Sequence, residues 1–234
     1  MNTLIFDTPQ AVAEAFAKDL AQRIAAADQL TIALSGGSTP KLLFDHMAAE
    51  YADIDWSKVH LYWGDERCVP PTDDDSNYKM TVTHLLSKID MPEANVHRVL
   101  GENDPVQEAE RYGKEIEDGL PSANRLPQFD LIILGMGADG HTASIFPHEM
   151  ELLDSKEVCA VATHPESGQN RVSLTGPVIN NAKAVTFLVT GASKAEKVVE
   201  IFNQSGDWKS YPPSWIKPDS GGLTWYLDKA ANGQ

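Results

Sequence analysis

The sequence predicts an α/β fold: a doubly wound, mostly parallel sheet with helices on both faces, Rossmann-like in outline. Along the 234 residues, short apolar runs with strand character alternate with amphipathic helical patterns. Such an order lays strands side by side in parallel and covers both faces of the sheet with helices. At 42% hydrophobic and 23% charged residues, the chain supplies one sizeable core and is marginal for two, so a single domain over residues 1–234 is expected.

The elements follow in order. Residues 4–6 read as a short strand. After Pro9, the residues Val12, Phe16, Leu20 and Ile24 recur every four positions and form one face of an alanine-rich helix. Strand-like runs stand at 30–34, 59–63, 129–134, 158–162 and 184–189, with helical patterns between most of them. Asp104-Pro105-Val106-Gln107 joins a cap, a proline at the first helical position and a glutamine three residues beyond the cap; Ala109, Tyr112 and Ile116 then share a face. Residues 212–222 form a proline- and glycine-rich loop before a last apolar element at 223–227. There is no internal repeat and no low-complexity linker.

Charge narrows the function classes. Nineteen Lys and Arg against thirty-four Asp and Glu give a net charge of −15 with no basic cluster, which excludes nucleic acid as the expected partner. The same field repels a phosphorylated small molecule, so basic residues placed against it carry weight. No run approaches the roughly 20 apolar residues of a membrane span. The first thirty residues hold Asp7, Glu14, Asp19 and Asp28 without a signal-peptide core. A cytoplasmic protein with no membrane partner is expected. Cys68 and Cys159 lie far apart, fit no metal spacing and read as reduced thiols.

Ligands of doubly wound sheets bind beyond the carboxyl ends of strands, so the loops that follow strands are the places to search. The first is SGGSTP, residues 35–40. Gly36 and Gly37 permit positive φ and close backbone approach, and Ser38 or Thr39 is placed to cap a helix beginning at Pro40, whose free amides favour an anion. The GxxxxGK[ST] spacing of a P-loop is absent, and alone this segment serves equally as a strand-to-helix turn. The second loop, WGDERCVPPTDDDSNY, sets Asp65, Glu66 and Arg67 where a strand ends and leads to a cap at Ser76. Arg67 is a cation suited to orienting or neutralising a substrate oxygen.

In the third, LIILGMGADGHTASIFP, Gly135, Gly137 and Gly140 spell GxGxxG after a strand. A dinucleotide reading is disfavoured, because Asp139 and His141 crowd the site of a pyrophosphate and Pro147 cuts short the helix that would hold it. The glycines instead let Asp139 and His141 project, the histidine as general base and the carboxylate to orient it or handle substrate hydroxyls. The fourth comprises RVSLTGPVINNA and VTGASKAEKVV. Ser193-Lys194-Ala195-Glu196 matches a capping box, which puts Lys194 in a first helical turn, where a cation is unfavourable unless an anion lies beside it. Arg171 alone reads as an ordinary surface arginine.

Together LSGGSTP, GDERCVP, DDSNY, LGMGADGHTASIFP, RVSLTGPVIN, FLVTGASKAEKV and GGLTWYLDKAA resemble the 6-phosphogluconolactonases, related in fold to glucosamine-6-phosphate deaminases, over nearly the whole chain. The resemblance implies hydrolysis of 6-phospho-D-glucono-1,5-lactone without metal or other cofactor, with the phosphorylated sugar lactone as partner; a monomer or weak homodimer is the expected assembly. It implies His141 as general base, Arg67 at the reacting end of the sugar, and Gly37, Ser38, Thr39, Arg171 and Lys194 as phosphate ligands. Asp65 and Asp139 match acidic positions and are assigned to orienting His141, substrate or water. Deaminases of the family typically read DGHxxFNEP; here Phe146 precedes the proline and no glutamate stands there. A deaminase, a dinucleotide-dependent oxidoreductase and a non-catalytic sugar-phosphate sensor are the rival readings.

Overall fold

The computed structural model describes residues 1–234. In chain order the elements are β1 (Asn2–Phe6), α1 (Pro9–Ala26), β2 (Leu30–Leu34), α2 (Ser38–Glu50), β3 (Val59–Trp63), β4 (Asp65–Arg67), α3 (Asn77–His84), β5 (Val96–His97) and α4 (Pro105–Gly119). There follow β6 (Ser122–Ala123), β7 (Leu126–Pro127), β8 (Leu131–Leu134), β9 (Cys159–Thr163), β10 (Asn170–Leu174), α5 (Gly176–Asn180), β11 (Val185–Val189), α6 (Ala195–Asn203) and β12 (Leu223–Asp228).

Local chemistry explains the helix starts. The Thr8 hydroxyl accepts from Ala11 N at 3.2 Å, and Pro9 occupies the first turn, where its missing N–H has no intrahelical role. Val12, Phe16, Leu20 and Ile24 are then buried. The Asp104 carboxylate accepts from Val106 N and Gln107 N, both at 3.1 Å, and Ala109, Tyr112 and Ile116 are buried behind it. The apolar core is continuous from Val12 to Ala231.

Seven strands form one sheet in the order β1-β12-β11-β8-β2-β3-β5, every neighbouring pair parallel. β2, β8 and β11 are buried at every residue. Strands covered on both faces have no solvent side to make polar, hence their mostly apolar sequences, in which Thr31 of β2 and Thr186 of β11 are the polar residues. Crossovers from β1 to β2, β2 to β3 and β3 to β5 run toward one edge, and those from β5 to β8, β8 to β11 and β11 to β12 toward the other. With right-handed crossovers, α1, α2 and α3 cover one face and α4, α5 and α6 the other. The direction reverses between neighbouring β2 and β8, so the crevice beyond their carboxyl ends is the topological switch point.

One expected strand lies elsewhere. The run at 158–162 forms β9, which pairs antiparallel with β10; β4 adds to the far side of β10 in a separate sheet of order β4-β10-β9. The short connection from β9 to β10 makes a hairpin, which cannot supply a parallel crossover. β4 leaves β3 through Gly64, whose N–H donates to Leu34 O at 2.7 Å and whose carbonyl accepts from Leu174 N at 2.8 Å. The small sheet therefore hangs from the carboxyl edge of the large one, beside the switch point.

At the opposite edge, His60 Nδ1 lies 3.1 Å from His97 Nε2, and His97 Nδ1 lies 3.0 Å from Glu115 Oε1. Burial, and then the neighbouring His97, lower the His60 pKa below its ordinary 6.5. The unfolded chain thus takes up this proton more readily, so His60 contributes stability that is present above pH 6.5 and lost as pH falls below it. Urea midpoints are expected to fall below that pH, and His60→Gln to flatten the slope; an unchanged slope in the variant would remove His60 as its source.

Candidate active site

A cavity of about 210 Å³ opens at the switch point. Gly37, Ser38, Thr39, Asp65, Arg67, His141, Arg171 and Lys194 all line it, and Asp139 stands behind His141. Four loops chosen separately in the sequence therefore meet in one place.

The loop after β2 differs in detail from expectation. α2 starts at Ser38 rather than Pro40, and its cap is Gly37, with φ of 109° and no side-chain cap bond. That backbone conformation suits glycine and strains other residues, so the turn comes earlier than a hydroxyl cap would set it. The Ser38 hydroxyl is left exposed, while Thr39 Oγ1 is tied to Thr190 Oγ1 at 2.7 Å. The first i→i−4 bond of α2 runs from Lys41 N to Gly37 O at 3.1 Å, which leaves the Ser38 and Thr39 amides free of an intrahelical acceptor at the positive end of the helix. A Cβ at Gly36 would collide with the Asn77 carboxamide, so this glycine lets the loop pack directly on Asn77.

Strand parity arranges the charges of the small sheet. Arg67 pairs with Arg171 and Asp65 with Ser173 across β4 and β10. Alternation sends these four side chains to one face and Glu66 to the other. Two arginines in register repel each other, an unfavourable arrangement in the absence of an anion. Arg67 Nε, Arg171 Nε and Ser35 Oγ are buried and make no hydrogen bond within the protein, so the pocket has polar groups to spare for a ligand. Burial lowers the Arg171 pKa, and the Asp65 charge partly restores it. Its guanidinium carbon sits 5.5 Å from the centroid of the Phe146 ring. Arg171 is thus a buried pocket residue, not the surface arginine its sequence context suggested.

On the far face, Glu66 is 2% exposed. Its carboxylate accepts from Arg67 N at 2.7 Å, Asn77 N and Tyr78 N at 2.8 Å, and Ser76 Oγ at 3.0 Å. Burial raises its pKa and these donors oppose the rise. Ser76 also caps α3, accepting from Lys79 N at 3.1 Å as expected. The Arg67 guanidinium donates to the Asp75 carbonyl.

The loop after β8 carries the candidate base, His141. No helix follows its glycines: Thr142 and Ile145 pair in a tight turn, and Pro147 comes next. His141 Nδ1 lies 2.6 Å from Asp139 Oδ1, and His141 N donates to the same oxygen at 3.2 Å. Burial would raise the Asp139 pKa, but its hydrogen bond to His141, the charge there and backbone N–H groups overcome it and hold it at about 2. An ionised carboxylate only accepts, so Nδ1 carries a proton, and in the neutral ring the lone pair is therefore on Nε2. Gly137 lies where any Cβ would strike the imidazole and the Asp139 carboxylate. Asp65 is occupied otherwise: its Oδ2 accepts from Ser144 Oγ at 2.6 Å, and Ser144 N donates to Ser173 Oγ at 3.1 Å. Of the two carboxylates assigned to orienting His141, Asp139 touches it; Asp65 faces the pocket and anchors the loop.

Lys194 reaches the pocket, but not through a capping box. α6 starts at Ala195 with Lys194 at its cap position and no side-chain cap bond. A 3₁₀ turn, Ala192–Lys194, precedes it, opened by Gly191 with φ of 95°. Gly191 N donates to both Asp228 oxygens, at 3.0 and 3.1 Å. The glycine thus sets the turn before Ser193 can act. Burial lowers the Lys194 pKa, Asp139 counters and Lys197 adds to the fall.

Sequence reasoning passed over Asn77, Thr190, Ser144 and Ser173, and took Phe146 only as a departure from the deaminase pattern. Ser173 was within reach, two residues beyond Arg171 on the same strand face. Phe146 is fully buried, with its ring centroid 4.8 Å from that of His141. No group of three or more His, Cys, Asp or Glu side chains is arranged to hold a metal ion.

The family model described as glucosamine-6-phosphate isomerases/6-phosphogluconolactonase matches residues 7–225. The chain is 44% identical to a 6-phosphogluconolactonase of Haemophilus influenzae over 99% of this chain and 98% of that protein. It is 46% identical to one of Treponema pallidum over 86% and 84%. The solved 6-phosphogluconolactonase of Trypanosoma brucei superposes with a TM-score of 0.89 at 31% identity, covering 99% of this chain and 97% of that one.

The Asp139 carboxyl carbon is expected to titrate near pH 2 by NMR, and the neutral His141 ring to show the Nδ1–H tautomer in nitrogen-correlated spectra. In Asp139→Asn the tautomer preference is expected to be lost; an Nε2–H ring in the unaltered protein would refute the assignment. Being depressed, the Asp139 pKa contributes stability present above its unfolded value of 3.8 and lost as pH falls through about 2.

Proposed function

The chain belongs to the glucosamine-6-phosphate isomerase and 6-phosphogluconolactonase family, and from that premise we propose that it hydrolyses 6-phospho-D-glucono-1,5-lactone to 6-phospho-D-gluconate, the second step of the oxidative pentose phosphate pathway. The observation that carries the reading is a histidine with a free Nε2, fixed by an ionised partner, in a small pocket that also gathers Arg67, Arg171 and Lys194. In a chain of net charge −15, such a gathering serves an anionic substrate.

The mechanism follows from the groups present. The 6-phosphate lies against the Gly37, Ser38 and Thr39 segment with Arg171 and Lys194, and its binding energy fixes the carbonyl in range of the base. His141 Nε2 takes a proton from water as the water oxygen bonds to the lactone carbonyl carbon. The oxyanion so formed is stabilised by Arg67 or by amides of the glycine loop. The intermediate then collapses with cleavage of the bond to the ring oxygen, which takes the proton back from His141. Asp139 holds the imidazole and its tautomer; Asp65 orients substrate or water. A δ-lactone is an activated ester, so water, a base and a stabilised oxyanion suffice, and the reaction as proposed uses no metal or cofactor.

Phe146 speaks against deaminase chemistry, since an apolar ring packs on His141 where the resemblance puts a glutamate in deaminases. The continuous core supports one domain over residues 1–234. No helix is long and apolar enough to cross a membrane, and a cytoplasmic monomer or weak homodimer fits the reading.

A pH-stat assay on freshly made lactone, with glucosamine 6-phosphate beside it, tests the proposal: hydrolysis of the first and no deamination of the second are expected. His141→Ala is expected to lower turnover by roughly 10²–10⁴-fold with affinity for 6-phosphogluconate retained. Lys194→Ala is expected to weaken that affinity by about tenfold, the loss of one charge-assisted contact. Near-normal turnover in the first variant would end the role of His141, and unchanged affinity in the second that of Lys194.

A further inference from the structure

The loop that carries His141 is held from two sides. Toward the small sheet, Ser144 is bonded to Asp65 and Ser173. The opposite side meets Tyr211, from the stretch between β11 and β12. Gly140, with φ of 92°, packs directly on the Tyr211 ring; a Cβ built there would lie 2.6 Å from the ring's Cδ1. Gly140 N donates to Gly137 O at 3.1 Å and Gly137 N to His141 O at 2.8 Å, so the turn that aims the imidazole is closed against that ring.

Tyr211 is itself fixed. Its N–H donates to Trp208 O at 3.2 Å, its carbonyl accepts from Ser214 N at 3.0 Å, and Ser214 Oγ donates to Trp208 O at 2.6 Å. Lys197 of α6 places its ammonium 5.5 Å from the ring centroid. Burial, and then the Glu200 carboxylate of the same helix, push the phenol up to about 12. The helix that grips Tyr211 is the one that begins immediately after Lys194.

We propose that Tyr211 is a positioning residue for the hydrolysis: its ring clamps the loop 135–141 against α6 and so keeps the base at a fixed separation from the phosphate-binding lysine. The aromatic face does this, since it is the ring that meets Gly140; the hydroxyl is secondary. The inference rests on the lactonase reading for its rate measurements and on geometry alone for its spectroscopic one.

The test compares Tyr211→Ala, Tyr211→Phe and Trp215→Ala in the full chain. Trp215 lies in the same segment, stacked on Trp208, and serves as a control for disturbing it. Tyr211→Ala is expected to lower kcat by about 10–10²-fold, the scale of a small misplacement of a catalytic group. Affinity for 6-phosphogluconate should stay within about threefold, since the phosphate contacts are untouched. Tyr211→Phe should restore kcat, and Trp215→Ala should leave it unchanged. The imidazole proton resonances of His141, read without substrate, should move in Tyr211→Ala and return in Tyr211→Phe. Unmoved resonances, a kcat loss that only tracks the unfolded fraction by circular dichroism, or an equal loss in Trp215→Ala would each overturn the proposal. Hydrolysis by the unaltered protein is scored separately, so failure of the lactonase reading is distinguishable from failure of the clamp.

Discussion

A carboxylate with almost no access to water sets the geometry of this molecule's working end. Glu66 would be costly to bury alone, because a charge loses its hydration in a protein interior. Four donors from β4 and the start of α3 replace that hydration, so the carboxylate is tolerable only while strand and helix keep their relation. Its neighbours in sequence inherit their directions from it. Because Glu66 points away from the pocket, Asp65 and Arg67 must point toward it, and Asn77 is set where Gly36 can pack upon it. The loop between β4 and α3 is thereby tied down at both ends, while Asp73, Asp74 and Asp75 within it stay exposed to solvent.

The rest of the site depends on the same principle of holding short loops from several sides. The segment after β2 is set by a glycine cap and by the Thr39–Thr190 bond between the first turn of α2 and the end of β11. The reactive loop is pinned through Ser144 on one side and packed on an aromatic ring at the other. Loops supply the chemistry here, and rigid strands supply the distances between them.

Much of this was legible from residues alone. Buried parallel strands announce themselves as mostly apolar runs, and the 30–34 and 59–63 segments fall on β2 and β3 without displacement. Asp104 and Ser76 cap their helices through side-chain oxygens that accept from amides of the first turn. Where glycine precedes the candidate cap, the reading failed: Gly37 and Gly191 reach positive φ and shift the turn, displacing Ser38, Thr39 and Ser193 from capping. The three-residue β4 is too short to show alternation, and only its pairing with β10 reveals that Arg67 and Arg171 share a face. Contacts such as Ser144 with Asp65, or Tyr211 with Gly140, join residues about seventy-five positions apart in sequence, beyond the reach of any local period.

The facing arginines have a thermodynamic side as well. Two guanidinium groups held in register by a β-ladder store repulsion in the ligand-free protein, and an anion placed between them relieves it. Folding and occupancy are therefore linked: whatever discharges that repulsion tightens β4 against β10 and, through Glu66, the start of α3. In this sense the pocket is a part of the fold that its ligand completes, and a cell rich in small anionic metabolites would keep the protein more rigid than pure water does.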